Sequence, residues 1–336
     1  MVGNQPEKVF LAPEIAEAYT WRCNSRSHRK GERQMYKGSF ASGFGIDWDD
    51  LWRRQLQEAS FRTLGADRWN AGAANWGRAM SGSFNANYVD CLLARMDLSP
   101  DMTVLDVGCG SGRVAIPLAK RVRHVTALDQ APAMLELTKR NAEAEAVRNI
   151  TTVHMDWTTA RIGMDVERHD VVLSSSSALM LELSAFLIQM DRAAKKRCYL
   201  TWGAGANARD ARVCRALGEE YRPTPSYIVI YNLLYSMGIL ANVEIYHTTG
   251  TRRVKDLSKI VETVAHRAHG RTLDEATEAS LKAHFAKELV YRDGYYCEDV
   301  SSSVALISWS KPGPHLASAT EAGLRNTDVM QARDDK

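Results

Sequence analysis

Apolar positions between residues 101 and 202 follow two alternating rhythms. Short runs rich in β-branched residues (Thr103 to Val107, Val125 to Asp129, Ile150 to Met155, Asp170 to Leu173, Tyr199 to Thr201) are separated by longer stretches. In Arg113 to Val122, Pro132 to Ala146 and Leu179 to Lys196 the apolar residues recur every three or four positions. Short continuous runs suit strands buried on both faces, and the longer period suits helices. The alternation therefore predicts parallel βαβ units with right-handed crossovers. Pro117 falls early in its helix and Pro132 in a first turn, where a missing N–H costs little. Ala241 to Tyr246 and Val304 to Trp309 predict two more strands, for a seven-stranded, mostly parallel α/β sheet flanked by helices.

The flanking regions predict helices. Asp47 to Leu64 reads as an amphipathic helix capped by Asp47, with Leu51, Trp52, Leu56 and Ala59 on its apolar face. Trp69 and Trp76, seven apart, share a second helix with Asn70 and Arg78, and Asn85 to Met96 forms a third that Ser99-Pro100-Asp101 breaks. Five of the eight tryptophans precede residue 80, which suits either core packing or a helical lid. The segment SYIVIYNLLYSMGIL predicts another helix, carrying Tyr227, Tyr231, Asn232 and Tyr235. An insert at about 248–300 predicts two helices: Val254, Leu257, Val261, Val264 and Ala268 form one stripe, and Thr272 with Glu275 forms a capping box for the next. Tyr291, Tyr295 and Tyr296 beyond it are candidate pocket residues. The expected organisation is an N-terminal extension and helical lid over 1–100, a main domain over 101–311 and a flexible tail over 312–336.

The stretch TVLDVGCGSG joins the first predicted strand to the first helix. Gly108, Gly110 and Gly112 permit positive φ and let a ligand lie on the backbone, and free N–H groups at the following helix start would favour a nucleotide-type group. Asp129 closes the second strand 17 residues after Gly112, a position suited to ribose hydroxyls. The spacing is GxGxG rather than the GxGxxG of pyrophosphate binders, which disfavours a dehydrogenase.

VLDVGCGSG, then TALDQ, then HMDW resembles the cofactor-binding half of the class I S-adenosylmethionine-dependent methyltransferases, from about Asp101 to Trp202. The resemblance implies a Rossmann-like fold and S-adenosylmethionine as cofactor. It implies that Asp106, Gly108, Gly110 and Gly112 meet the methionine end, Asp129 the ribose, and Asp156 with Trp157 the adenine. Cys109, Gln130 and Ser174 complete the implied cofactor set. Nucleic-acid amino-methylating members carry Asn or Asp with Pro-Pro-aromatic after the fourth strand; here Ser174 to Ser177 stand instead, which suits a compact substrate. Trp69, Trp76, Ser176, Trp202, Tyr231 and Asn232 are the candidate substrate residues, and Glu182, Tyr231 and His247 are candidate bases among which the sequence does not choose.

Charge changes this picture little. Forty-three basic residues against 40 acidic ones give a net +3, so nothing global calls for nucleic acid or a membrane, although Arg22 to Lys37 is locally basic. Six cysteines without CxxC pairing suit reduced thiols and no metal site, with Cys109 packed behind the glycine turn or redox-sensitive beside the cofactor. No signal peptide or 18-residue apolar run appears, so a cytoplasmic enzyme is expected, with a homo-oligomer left open. The leading expectation is methyl transfer to a small molecule by in-line displacement, for which the protein mainly positions a nucleophile and excludes water. The same cofactor motifs also admit aminocarboxypropyl transfer or cyclisation releasing methylthioadenosine, and an RNA or protein methyltransferase.

Overall fold

The apolar runs become strands whose residues alternate between two helical layers. The computed structural model describes residues 45–60, 65–67, 69–71, 73, 83–267 and 273–311. Trp76, Arg78, the Arg22 to Lys37 segment, Ala268, Thr272 and the 312–336 tail lie outside them. The strands are β1 (Thr103–Val107), β2 (His124–Asp129), β3 (Ile150–His154), β4 (His169–Ser175), β5 (Ala194–Gly203), β6 (Asn242–Val254), β7 (Val290–Arg292) and β8 (Tyr295–Ser310). The helices are α1 (Trp48–Glu58), α2 (Ser83–Leu93), α3 (Ala115–Ala119), α4 (Pro132–Ala144), α5 (Leu183–Ala193), α6 (Ala208–Ala216), α7 (Tyr227–Ser236), α8 (Leu257–Arg267) and α9 (Glu275–Glu288).

The sheet runs β3-β2-β1-β4-β5-β8-β6, with β7 on β8. Strands β1 to β5 are parallel, and β8 is antiparallel to β5 and β6. Among the described residues it has eight strands rather than seven, the extra one being the three-residue β7. Leu105 and Val107 of β1, Val172 of β4 and Leu200 of β5 face one core, with Trp52, Phe186 and Ile230 from α1, α5 and α7. Val104, Val171, Leu173 and Tyr199 face the other, with Tyr88 and Leu92 of α2 and Leu118 of α3. A one-residue slip would exchange these faces, and each fully buried aliphatic side chain contributes about 1.5–3 kcal/mol, so the pattern holds the register.

Several boundaries differ from expectation. Helix α3 has five residues and begins at Ala115, not Arg113, because residues 108–114 are consumed by the loop. Helix α5 starts at Leu183 and gives way to β5 at Ala194. Strand β6 runs to Val254 and β8 begins at Tyr295, so the insert is only 255–294 and hangs from a long antiparallel ribbon. The ribbon's outer half, HTTGTRRV against YYCEDVSSS, carries little apolar periodicity to reveal it. Asp274, not Thr272, caps α9, accepting from the Thr277 N–H at 2.7 Å. Helices α8 and α9 close over a satellite core of Leu257, Ile260, Val261, Val264, Leu281 and Phe285 with Val213 of α6. Tyr291 and Tyr296 pack on each other, ring centroids 4.8 Å apart, with Tyr296 against this core and Tyr291 exposed, and neither they nor Tyr295 line the cavity at the glycine loop. No helix among the described residues is long and apolar enough to cross a membrane.

Candidate functional site

The carboxyl ends of β1, β2 and β4, with the turn after β3, surround one cavity of about 490 Å³. Side chains delivered there share an edge because the strands are parallel, and this is where ligands bind in open α/β sheets. Asp106, Gly108, Cys109, Gly110, Asp129, Gln130, Asp156 and Trp157 contribute to its wall, as do Trp69 and Ser176.

The glycine loop is tied to β2. Gly108 and Cys109 N–H groups both donate to the Leu128 carbonyl, at 2.8 and 3.0 Å. Gly110 N–H donates to Asp129 Oδ2 at 2.8 Å, and Ala131 N–H to Oδ1 at 2.9 Å. The three glycines sit at φ +72, +57 and +82°. A Cβ on Gly108 would lie 2.4 Å from the Ser177 Cβ, and one on Gly112 would meet Ile116 and Thr138 at 2.9 and 3.1 Å. On Gly110 it would meet nothing within 4 Å. Gly108 and Gly112 thus serve close packing behind the loop, and Gly110 keeps its open side for a ligand. Within the loop itself, ahead of the helix start, the Gly108, Cys109, Gly110 and Gly112 N–H groups all bond within the protein.

Asp106 is only 1% exposed and its Oδ1 has no hydrogen-bond partner among the described residues. Burial pushes its carboxyl up to about 7, the Asp129 carboxylate adds to this, and Arg113 opposes it. Asp129 is raised chiefly by burial, against the Ala131 and Gly110 N–H groups. Burial likewise raises the Cys109 thiol, which lies 3.9 Å from Thr138 Oγ1. A deeply buried acceptor without a donor, beside an open glycine backbone, fits a ligand that brings its own N–H groups, as an α-ammonium does.

At the third strand end, Asp156 accepts from the Thr158 N–H and Oγ1 at 2.9 and 2.8 Å, capping a short 3₁₀ turn. The Trp157 indole is buried, donating to the Phe186 carbonyl at 3.4 Å. The four serines divide. Ser177 donates to the Val107 carbonyl at 2.6 Å, so Ser174, 2.7 Å away, must donate to Ser177. That pair pins β4 to the glycine loop, and Ser177 lines the cavity together with Ser175 and Ser176.

Ser174, Gly112, Trp202, Tyr231 and Asn232 do not line the cavity. Trp202 packs on Trp52 with ring centroids 5.1 Å apart and donates to the Pro225 carbonyl at 2.7 Å, making it a core residue. Tyr231 is exposed on α7, and Asn232 donates to the Ile228 carbonyl at 2.8 Å within the same helix. Of the candidate bases, Glu182 is at the cavity mouth, while Tyr231 and His247 are not among the lining residues. Sequence reasoning overlooked Arg113, Met134, Leu179, Met180 and Phe186 in the wall. The last three belong to the stretch that Trp52 organises, its Nε1 donating to the Met180 carbonyl at 2.8 Å. Trp69 packs with Ala73, Ala131 and Met134, and Asn70 Oδ1 accepts from the Ala133 N–H at 3.1 Å.

Residues 104–197 match a family profile described as a methyltransferase domain. The chain is 33% identical over 205 residues to an uncharacterized protein of Haemophilus influenzae, covering 61% of this chain and 75% of that one. It is 28% identical over 176 residues to the 23S rRNA (uracil(1939)-C(5))-methyltransferase RlmD of Pectobacterium carotovorum, covering 50% of this chain but only 37% of that relative. Among solved structures, magnesium protoporphyrin IX methyltransferase of Synechocystis with bound SAH is 16% identical, with 78% of this chain and 93% of that chain covered and a TM-score of 0.41.

Proposed function

We propose that this chain, whose residues 104–197 match a methyltransferase domain, is a class I S-adenosylmethionine-dependent methyltransferase that methylates a compact small-molecule acceptor held at the serine end of the cavity. S-adenosylmethionine supplies an activated methyl group on a sulfonium. Asp106 and the Gly108 to Gly110 backbone would hold its amino-acid end, Asp129 its ribose, and Asp156 with Gln130 and Trp157 its adenine end. Ser175, Ser176, Leu179, Met180, Glu182 and Trp69 remain for the acceptor. These residues orient the nucleophile and keep out water; with an already activated leaving group, positioning supplies most of what the reaction needs.

The observation carrying the small-molecule reading is the charge of the wall. Among the described residues the cavity lining carries a single cation, Arg113, and the part left for the acceptor has Glu182 beside neutral serines and apolar side chains. Such a wall disfavours a polyanionic backbone. Its size also falls within the roughly 300–1,000 Å³ usual for small-ligand sites. The similarity to RlmD favours a second reading, methyl transfer to RNA.

The deciding experiment incubates the protein with methyl-labelled S-adenosylmethionine and, separately, a small-metabolite extract, purified RNA and a protein lysate. Mass spectrometry then follows both the labelled product and the cofactor remnant. We expect label in a small molecule and S-adenosylhomocysteine as remnant. Label in RNA alone would establish the second reading, and methylthioadenosine as remnant would replace methyl transfer by transfer or cyclisation of the aminocarboxypropyl arm.

A further inference from the structure

We propose that Tyr88 is a positioning residue that selects hydroxyl-bearing acceptors, acting through Ser175 at the end of a buried hydrogen-bond wire. The proposal deepens the small-molecule reading and rests on it.

Tyr88 and Thr201 do not line the cavity, whereas Ser175 and Ser176 do. The Tyr88 hydroxyl lies 2.7 Å from Ser175 Oγ and 2.8 Å from Thr201 Oγ1, and Thr201 Oγ1 lies 3.4 Å from Ser176 Oγ. Four hydroxyls thus connect α2, the β4 end and β5 to the cavity wall. Two features hold the assembly in place. The Arg113 guanidinium sits over the Tyr88 ring, 4.4 Å from its centroid, which fixes the ring. Ser176, though not glycine, adopts φ +56°, with its N–H donating to the Thr201 carbonyl at 3.2 Å. A left-handed non-glycine residue costs on the order of 1 kcal/mol and persists only where its surroundings enforce it.

Tyr88 has one proton and two hydroxyl neighbours, so it donates to one and accepts from the other. When it donates to Thr201, Ser175 donates back and turns a lone pair toward the cavity. When it donates to Ser175, the Ser175 proton is released toward the cavity. The wire therefore offers an acceptor or a donor without moving a heavy atom. A ligand hydroxyl can use both settings, and a nucleophilic O–H needs the first. A methyl ether can use only the second. Trp69, Phe186, Leu179 and Met180 give the body of such a molecule an apolar surround.

The test uses the full chain saturated with S-adenosylhomocysteine and the matched probes phenol and anisole, with binding read by ligand-observed NMR. The wild-type protein is expected to prefer phenol by roughly tenfold, the upper range for one neutral hydrogen bond, and Tyr88→Phe by less than about threefold. Anisole and S-adenosylhomocysteine affinity should stay unchanged in Tyr88→Phe even as the melting temperature falls by several degrees with the loss of two buried hydrogen bonds, a pattern that a merely structural role, which would weaken both probes alike, would not produce. Thr201→Val, which breaks the far end of the wire and leaves the tyrosine in place, should also reduce the preference. Equal binding of both probes to the wild-type protein, or an undiminished preference in both variants, overturns the wire. Label entering RNA alone in the transfer experiment would instead overturn the small-molecule reading, so the two failures are distinguishable.

Discussion

Asp106 is a carboxyl that folding places at an electrostatic disadvantage. Its ordinary value of 3.8 rises to about 7 in the folded chain. Between these values the unfolded state ionises while the folded state keeps the proton, so its contribution to stability falls as pH rises from about 4 to 7 and then levels off. Asp106→Asn removes that penalty. Without ligand, thermal melts should find the variant more stable than wild type by on the order of 2–4 kcal/mol at pH 8, with a much smaller difference at pH 4. Its affinity for S-adenosylhomocysteine should nevertheless fall, because a carboxamide lacks the charge that an ammonium requires. The glycines separate in the same way. Gly108→Ala drives a methyl into Ser177 at φ +72° and should cost about 2 kcal/mol or more of stability. Gly110→Ala meets no atom and should cost about 1 kcal/mol in strain, with its larger effect on ligand affinity. Denaturant titration and calorimetric binding distinguish the two; equal losses of stability would refute the division of roles. At this scale the acids and glycines were legible because the motif marks them. The orphaned Oδ1 of Asp106 and the use of the loop N–H groups were not, since they depend on which atoms the fold brings within 3 Å.

At the scale of elements, α1 shows how a helix remote in sequence shapes the cavity. Trp52 is fully buried, packs on Trp202 and donates to Met180 in the wall, while Asp49 accepts from the Ser184 N–H at 3.0 Å and its Oγ at 2.5 Å at the start of α5. Trp52→Ala should destabilise the fold by about 3–5 kcal/mol and weaken ligand binding, because the 179–182 segment loses its support. Trp52→Phe keeps much of the packing and should cost about 1 kcal/mol, the indole hydrogen bond. Chemical denaturation with parallel binding measurements checks both. The apolar face of α1 could be read from its periodicity, but its partner could not, since Trp52 and Met180 are far apart along the chain. The β6–β8 ribbon shows the opposite limit. Polar strands that satisfy each other by backbone pairing leave no hydrophobic rhythm, so 248–254 and 295–300 read as insert.

For the whole molecule, the satellite core under α8 and α9 is separate from the two cores that flank the sheet. Replacing residues 255–295 by Asn-Gly would let Val254 and Tyr296, which already pair, close a two-residue hairpin. The shortened protein should keep S-adenosylhomocysteine affinity and cooperative unfolding, with a melting temperature several degrees lower because Val213 loses its cover. Lost affinity would show that the insert supports the site.

The sequence by itself determined the alternation of buried strands and helices, hence the parallel half of the sheet and the edge on which the glycine loop, Asp129 and Asp156 meet. Both follow from local periodicity and from the short right-handed connections that parallel strands require. Tertiary structure decided the acceptor end. Trp202 became core, Tyr231 turned outward, and two of the four serines became fasteners. Tyr88, separated from Ser175 and Thr201 by 87 and 113 residues, joined them in one hydroxyl wire. Such choices depend on contacts between distant residues, and a hydroxyl's role is set by the one neighbour it reaches, which no spacing along the chain records.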